Sequence, residues 1–224
     1  MRGALSFLLL LAAAAVQADD TLLGAGARSR PVYDGSGEQT ADLIPVVRYY
    51  GKPWFARTTQ GILEGGARFV DRGELTGGVQ LAYEQGPRDG DPGASLGVHL
   101  EFDTKMGPAP LNLLARTRTH SSSARGSQAD IRLTLGFHEG GGARAGLFGQ
   151  ATWANEKHMR EYYGAGDAGL LFASLGLLGS YDFSRHWVAV ASAELRRLAS
   201  EPARGALVQE RTSHYLSAGL AYRF

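Results

Sequence analysis

The side chains best suited to chemistry here are six histidines, and there is no cysteine to add to them. An imidazole can take a proton from a serine hydroxyl or from water, so a histidine next to a serine is the pairing to look for. His120, followed by Ser121, Ser122 and Ser123, comes nearest to it. Adjacency in a loop does not make a triad, which is defined by the places its members take in space. His99, His138 and His186 fall near polar faces or turns, His158 near a loop, and His214 on the apolar side of the last strand-like stretch. No HxxxH pair offers metal ligands, and Gly140-Gly141-Gly142 reads as a turn rather than a phosphate cradle. No catalytic, cofactor-binding or metal-ligating residue is therefore assigned. No cofactor is implied, and the chain is expected not to be an enzyme.

A second group of reactive side chains is larger and more regular. Glu84, Glu101, Asp103, Asp130, Asp182 and Glu194 stand on the polar sides of alternating segments, as do Lys105, Arg116, Arg118, Arg132, Arg144, Arg196 and Arg223. Opposite charges on neighbouring strands pair across the ladder. The expectation is a lumen packed with salt bridges, with Arg132 held by acidic neighbours. The alternative is a narrow polar channel, which a mixed-sign lining would leave with little ion selectivity.

The elements that must position these charges show a period of two. In Arg211–Phe224 one face carries Leu216, Ala218, Leu220, Tyr222 and Phe224, and the other Tyr215, Ser217, Gly219, Ala221 and Arg223. The cleanest case sets Ile131, Leu133, Leu135 and Phe137 against Asp130, Arg132, Thr134 and His138. The same alternation marks Leu75–Glu84, Ala94–Lys105, Ala143–Trp153, Leu171–Phe183 and Trp187–Leu195, and more weakly Leu22–Tyr33, Asp42–Tyr50 and Leu111–His120. Pro45 interrupts the second of the weaker runs. Trp54–Val70 is too long for one strand and is divided at Gly61 to Gly66, with Glu64-Gly65-Gly66 as a tight outer turn. That division gives twelve strands; ten is the second choice, if the first strand lies outside the wall.

Short connections alternate with the longer stretches Gly86–Pro92, Ser121–Gln128, Asn155–Asp167 and Ala199–Glu210. Aromatic residues sit near strand ends, at Tyr83, Phe102, Trp153, Tyr181, Trp187 and Tyr222. Strands of about ten residues, short turns at one end, longer loops at the other and aromatic girdles predict an all-β, closed antiparallel transmembrane barrel. Glycine is abundant, 31 of 224 residues, and inside a curved barrel wall it makes room for large neighbours.

Residues 1–18 have a positive Arg2, an apolar run from Ala4 to Val16 broken only by Ser6, and small residues ending at Ala18, so they read as a secretory signal peptide. Residues 19–224 then form a single barrel domain. Losing Arg2 with the leader leaves 22 basic residues against 22 acidic ones, which argues against a nucleic-acid partner. The partner read from the residues is outer-membrane lipid.

The chain also resembles the MipA/OmpV family of MltA-interacting outer-membrane proteins. Five stretches carry the likeness: Arg30-Pro31-Val32-Tyr33-Asp34-Gly35-Ser36, Val46-Val47-Arg48-Tyr49, Trp153-Ala154 with Met159-Arg160-Glu161-Tyr162-Tyr163-Gly164, Ser180 to Trp187, and Ser217 to Phe224. After Gly164 only Ala165-Gly166-Asp167 intervene, where the family has a longer loop. The resemblance implies a non-enzymatic barrel in the cell outer membrane, acting as a scaffold for periplasmic murein hydrolases and synthases. It also leaves open a small channel or an adhesin.

Overall fold

The structure is a computed structural model that describes residues 21–84, 93–121, 125–164 and 167–224. The proposed signal peptide 1–18, the stretch Gly86–Pro92, Ser122-Ser123 and Ala165-Gly166 lie outside the described residues.

Twelve strands form one closed antiparallel barrel. They are β1 (Leu22–Pro31), β2 (Gln39–Tyr50), β3 (Trp54–Thr59), β4 (Ile62–Arg72), β5 (Leu75–Glu84) and β6 (Gly93–Met106), then β7 (Ala109–His120), β8 (Ser127–Gly140), β9 (Ala143–Ala154), β10 (Gly169–Asp182), β11 (Trp187–Leu198) and β12 (Thr212–Arg223). Each strand pairs with its sequence neighbour. β1 closes the ring on β12, from Leu22 opposite Arg223 to Ser29 opposite Leu216. The first strand is thus part of the wall, and each strand has a neighbour on both sides, as a lipid-embedded sheet requires.

The amphipathicity is that of a barrel turned outward. Leu81, Leu96, Val98, Ile131, Leu133, Leu175, Leu195 and Leu216 are exposed, and Leu43 is 82% exposed. The side chains that alternate with them, including Glu64, Arg116, Asp130 and Glu194, are buried. A water-soluble sheet protein would bury the first set and expose the second. No helix among the described residues is long and apolar enough to cross a membrane.

The division of Trp54–Val70 is correct in kind and misplaced by a few residues. The turn is Gln60-Gly61, with φ of 52° and 77°, and Glu64-Gly65-Gly66 belongs to β4. A two-residue hairpin of this twist needs positive φ at both central positions, which Gly61 adopts freely and Gln60 tolerates. This hairpin is also where the wall is weakest. β2 and β3 share only the rungs Arg48–Arg57, Tyr49–Ala56 and Tyr50–Phe55. Beyond them the Thr58 hydroxyl donates to the Pro45 carbonyl at 2.8 Å and accepts from the Val47 amide at 3.2 Å. A side chain thus continues the seam where proline supplies no N–H.

The two ends of the barrel are built differently. At the turn end, Tyr222 stacks on His186 (ring centroids 5.3 Å apart) and meets Trp187 and Phe224 edge-on at 5.4 and 5.2 Å. At the loop end, the helix α1 (Glu156–Tyr163) starts at Asn155, whose side chain accepts from the His158 amide, and stops at the left-handed Gly164. Met159 and Tyr163 of α1 pack with Leu171, Phe172 and Leu198 as a small core over the barrel mouth. The β1–β2 and β11–β12 loops are tied together there, the Gln209 amide donating to the Gly35 carbonyl at 2.7 Å and Tyr33 Oη to the Leu207 carbonyl at 2.9 Å.

Candidate functional site: the luminal charge network

Glu64 is the centre of the lumen. It is 0% exposed, although carboxylates are almost never fully buried unless paired. β3 and β4 set Arg57 opposite Glu64, and β7 and β8 set Arg116 opposite Asp130. Arg57 Nε donates to Glu64 Oε2 at 2.9 Å, and Arg116 Nε to Asp130 Oδ2 at 2.6 Å. The link between the two pairs runs across the lumen, where Arg116 Nη1 donates to Glu64 Oε1. Arg57 also reaches Glu101 on β6 at 2.5 Å. Asp130 accepts from Thr152 Oγ1 on β9 at 2.8 Å and is 3.3 Å from Arg118. Six strands, β3, β4 and β6 to β9, are thus joined through side chains.

The tip of the β3–β4 hairpin extends the network to the opposite wall. Gln60 Nε2 donates to Glu194 on β11 at 2.8 Å, and the Gln60 carbonyl accepts from Arg28 on β1 at 2.7 Å. Above this layer Arg196 donates to both oxygens of Asp34 at 3.2 and 2.9 Å, and Tyr215 Oη donates to the same carboxylate. The Arg196 guanidinium lies 4.1 Å from the Phe172 ring centre and 4.3 Å from that of Tyr215. Below it, Asp182 takes Arg144 and Arg223 at 2.6 and 2.7 Å. A cavity of about 170 Å³ lies at the loop end, and one of about 850 Å³ at the turn end.

Most of the charges assigned to inner faces occupy the lumen, with two qualifications and one correction. Asp103 and Lys105 are exposed near the turn end, where Asp103 accepts from Asn112 at 2.7 Å. The Glu84 side chain lies outside the description. Arg132 was expected to hold acidic neighbours, but it has no ion pair among the described residues. Its guanidinium sits 3.9 Å above the ring of Phe148, and Gly176 leaves the space that ring fills. Sequence reasoning passed over Arg28, Arg57, Asp34 and Glu64, the last because it had been placed in a turn.

The histidines are scattered. His99 packs edge-on against Phe55 at 4.9 Å, and His120 Nδ1 lies 3.3 Å from the Gly126 carbonyl. His158 Nδ1 meets the Arg125 carbonyl at 2.7 Å and its Nε2 meets Gln128 at 3.1 Å, which ties α1 to the mouth. Tyr163, on the same helix, has its hydroxyl pKa pushed well up by burial and is held neutral. What the arrangement does chemically is neutralise: guanidinium and carboxylate groups satisfy one another in a crowded, poorly hydrated interior.

A closed twelve-stranded ring with an apolar exterior and a charge-filled interior is a transmembrane β-barrel of the outer-membrane class. Within that class, the family model described as MltA-interacting protein MipA matches residues 23–224, and the chain belongs to that family. Among solved structures it is similar to the NanC porin, at 10% identity and a TM-score of 0.58, over 91% of this chain and 100% of that one. It is also similar to an outer-membrane channel from Pseudomonas putida F1, at 8% identity and a TM-score of 0.58, over 93% of this chain and 97% of that one. At such identities the likeness is one of fold. No curated protein matches the chain in sequence.

Proposed function

We propose that this barrel is a non-enzymatic scaffold in the outer membrane that engages a murein hydrolase or synthase from the periplasm. Residues 1–18 direct its export and are cleaved, and the short-turn end faces the periplasm. The observation that carries this reading is the Arg57–Glu64–Arg116–Asp130 network across the lumen. A barrel crossed by its own side chains acts through its surfaces, and the family's description, MltA-interacting, names the kind of partner. The test is binding of the purified folded barrel to a purified MltA-type murein hydrolase. Saturable binding, weakened by substitutions in the turn Gly51-Lys52-Pro53 and at Glu74, supports the scaffold. Absence of binding at micromolar concentrations removes it.

The second reading is a small channel. It is favoured by the turn-end cavity of about 850 Å³ and by a further cavity of about 310 Å³, lined by Gln60, Gly61, Arg132 and Phe148, that shares Arg48, Thr58 and Val190 with it.

A further inference from the structure

We propose that the lumen, entered from the turn end, binds a linear alkyl monocarboxylate, with the chain along the inner wall and the carboxylate on Arg132. This proposal does not rest on the scaffold reading, which concerns the outer surface of the turns, and either can fail without the other.

The inner wall of an outer-membrane barrel is ordinarily polar. Towards the turn end, this one is largely apolar. Ile44 and Val46 on β2, Leu114 on β7 and Val188 on β11 are buried inside the ring, and Leu178 on β10 and Val190 on β11 are half-buried. Val188 packs with Leu22, Val46 and Ala221. Open space lies in front of the rest. Ile44, Val46, Leu114, Leu178 and Val190 line the inner cavity of about 310 Å³, with Asn112 and Thr134 among them. Val46, Leu178 and Val190 also line the turn-end cavity of about 850 Å³. Both volumes fall in the range of roughly 300–1,000 Å³ found for small-molecule sites. Apolar walls around such a space favour an alkyl chain over water.

Arg132 supplies the place for the head group. It is 8% exposed and lines the inner cavity. It has no hydrogen bond or ion pair among the described residues, and its Nε is enclosed without an acceptor. Glu194 and Glu64 are the acids whose charge reaches it, and the cations Arg116 and Arg57 reach it as well. Both acids are already held, Glu64 by Arg57 and Arg116, and Glu194 by Gln60 and Arg196. Phe148 covers one face of the guanidinium. Stacking of this kind leaves the edge of the planar fork for a carboxylate, which it can hold through two parallel N–H donors. One open cation at the inner end of an apolar space suits a ligand with one charge and one chain. Arg48 lines both cavities nearer the turn end and is the rival seat for the head group.

The experiment is calorimetric titration of the folded barrel in lipid nanodiscs with octanoate, octanamide and acetate at neutral pH, with empty nanodiscs as the blank. Octanoate should bind saturably at one site per barrel. Octanamide, which lacks the charge, and acetate, which lacks the chain, should each bind at least roughly tenfold more weakly. Arg132→Gln should lower octanoate affinity roughly tenfold or more, by loss of the charged fork, and leave octanamide unchanged. Arg48→Gln should change octanoate affinity less than about threefold, the effect of a screened charge. Compact mobility on an unheated gel certifies that each variant is folded. Arg132→Lys, which keeps the charge and loses the fork, replaces Arg132→Gln if that variant does not fold, and it too should weaken octanoate. No octanoate binding overturns the proposal. Octanamide as tight as octanoate overturns the carboxylate, and acetate as tight overturns the chain. Unchanged octanoate affinity in the Arg132 variant, or an equal loss in Arg48→Gln, overturns the location.

Discussion

Glu64 on β4 accepts a hydrogen bond from Arg116 on β7, a strand that is not its neighbour, and both side chains are almost wholly out of contact with solvent. This contact turns two ordinary cross-strand pairs into a bridge over the lumen. Its energetic weight lies in what remains when one partner goes, because an uncompensated buried charge costs far more than an intact pair contributes.

Glu64→Ala should therefore lower unfolding stability by about 3–5 kcal/mol, since it removes the buried carboxylate between Arg57 and Arg116 and leaves only Glu101 and Asp130 to offset them. Urea titration of the folded barrel followed by tryptophan fluorescence measures it. A change under about 1 kcal/mol would mean that water fills the lumen and screens the charges.

Arg132→Ala should be milder than Glu64→Ala, because Arg132 rests on the Phe148 ring rather than on a carboxylate. The expected loss is about 1–2 kcal/mol, the range of a desolvated cation–π contact. The same titration reads it. A loss equal to that of Glu64→Ala would reinstate an acidic partner for Arg132.

Gly176→Leu should clash with the Phe148 ring, which stands where a side chain at residue 176 would begin. Overpacking of this kind costs about 1–3 kcal/mol. Combining it with Phe148→Ala should recover part of the loss, and heat-dependent gel mobility measures the midpoints. A single variant as stable as the wild type would show that the wall yields there.

Gly61→Val should destabilise the β3–β4 hairpin by at least about 1 kcal/mol, since a β-branched residue is strained at a φ of 77°. It should also loosen the Gln60 contacts to Arg28 and Glu194. Faster proteolysis within residues 54–72, with the remaining barrel intact, is the expected result.

How much of this was legible in the sequence follows from where the alternation is clean. β12, and β8 as far as Gly136, keep strict period-two faces, so their outward leucines and inward Asp130, Arg132, Tyr215 and Arg223 could be assigned from the residues alone; beyond it a register shift between Gly136 and His138 leaves His138, expected on the inner face, exposed. The strand number followed from parity, because short turns and longer loops must alternate between two ends. The region 54–72 was read less well. A bulge at Arg68–Val70 shifts the register of β4, and Gln60-Gly61 is a weaker turn signal than three residues containing Gly65-Gly66. Yet Arg57 and Glu64 lie three residues either side of Gln60-Gly61, the spacing that makes them cross-strand partners in a two-residue hairpin. Once the turn is placed correctly, that pair can be read directly. The cross-lumen contact from Glu64 to Arg116 cannot be, since nothing local relates β4 to β7. Nor can the seating of Arg132 on Phe148, which joins neighbouring strands but depends on the absence of a side chain at Gly176 of β10.

The central claim, that the barrel is closed by its own charged side chains, is tested most directly by planar-bilayer recording of the wild-type protein. The account predicts no unitary conductance in molar potassium chloride, with steps appearing when Glu64 and Arg116 are both replaced by alanine. Stable, reproducible conductance steps from the wild-type barrel would contradict it.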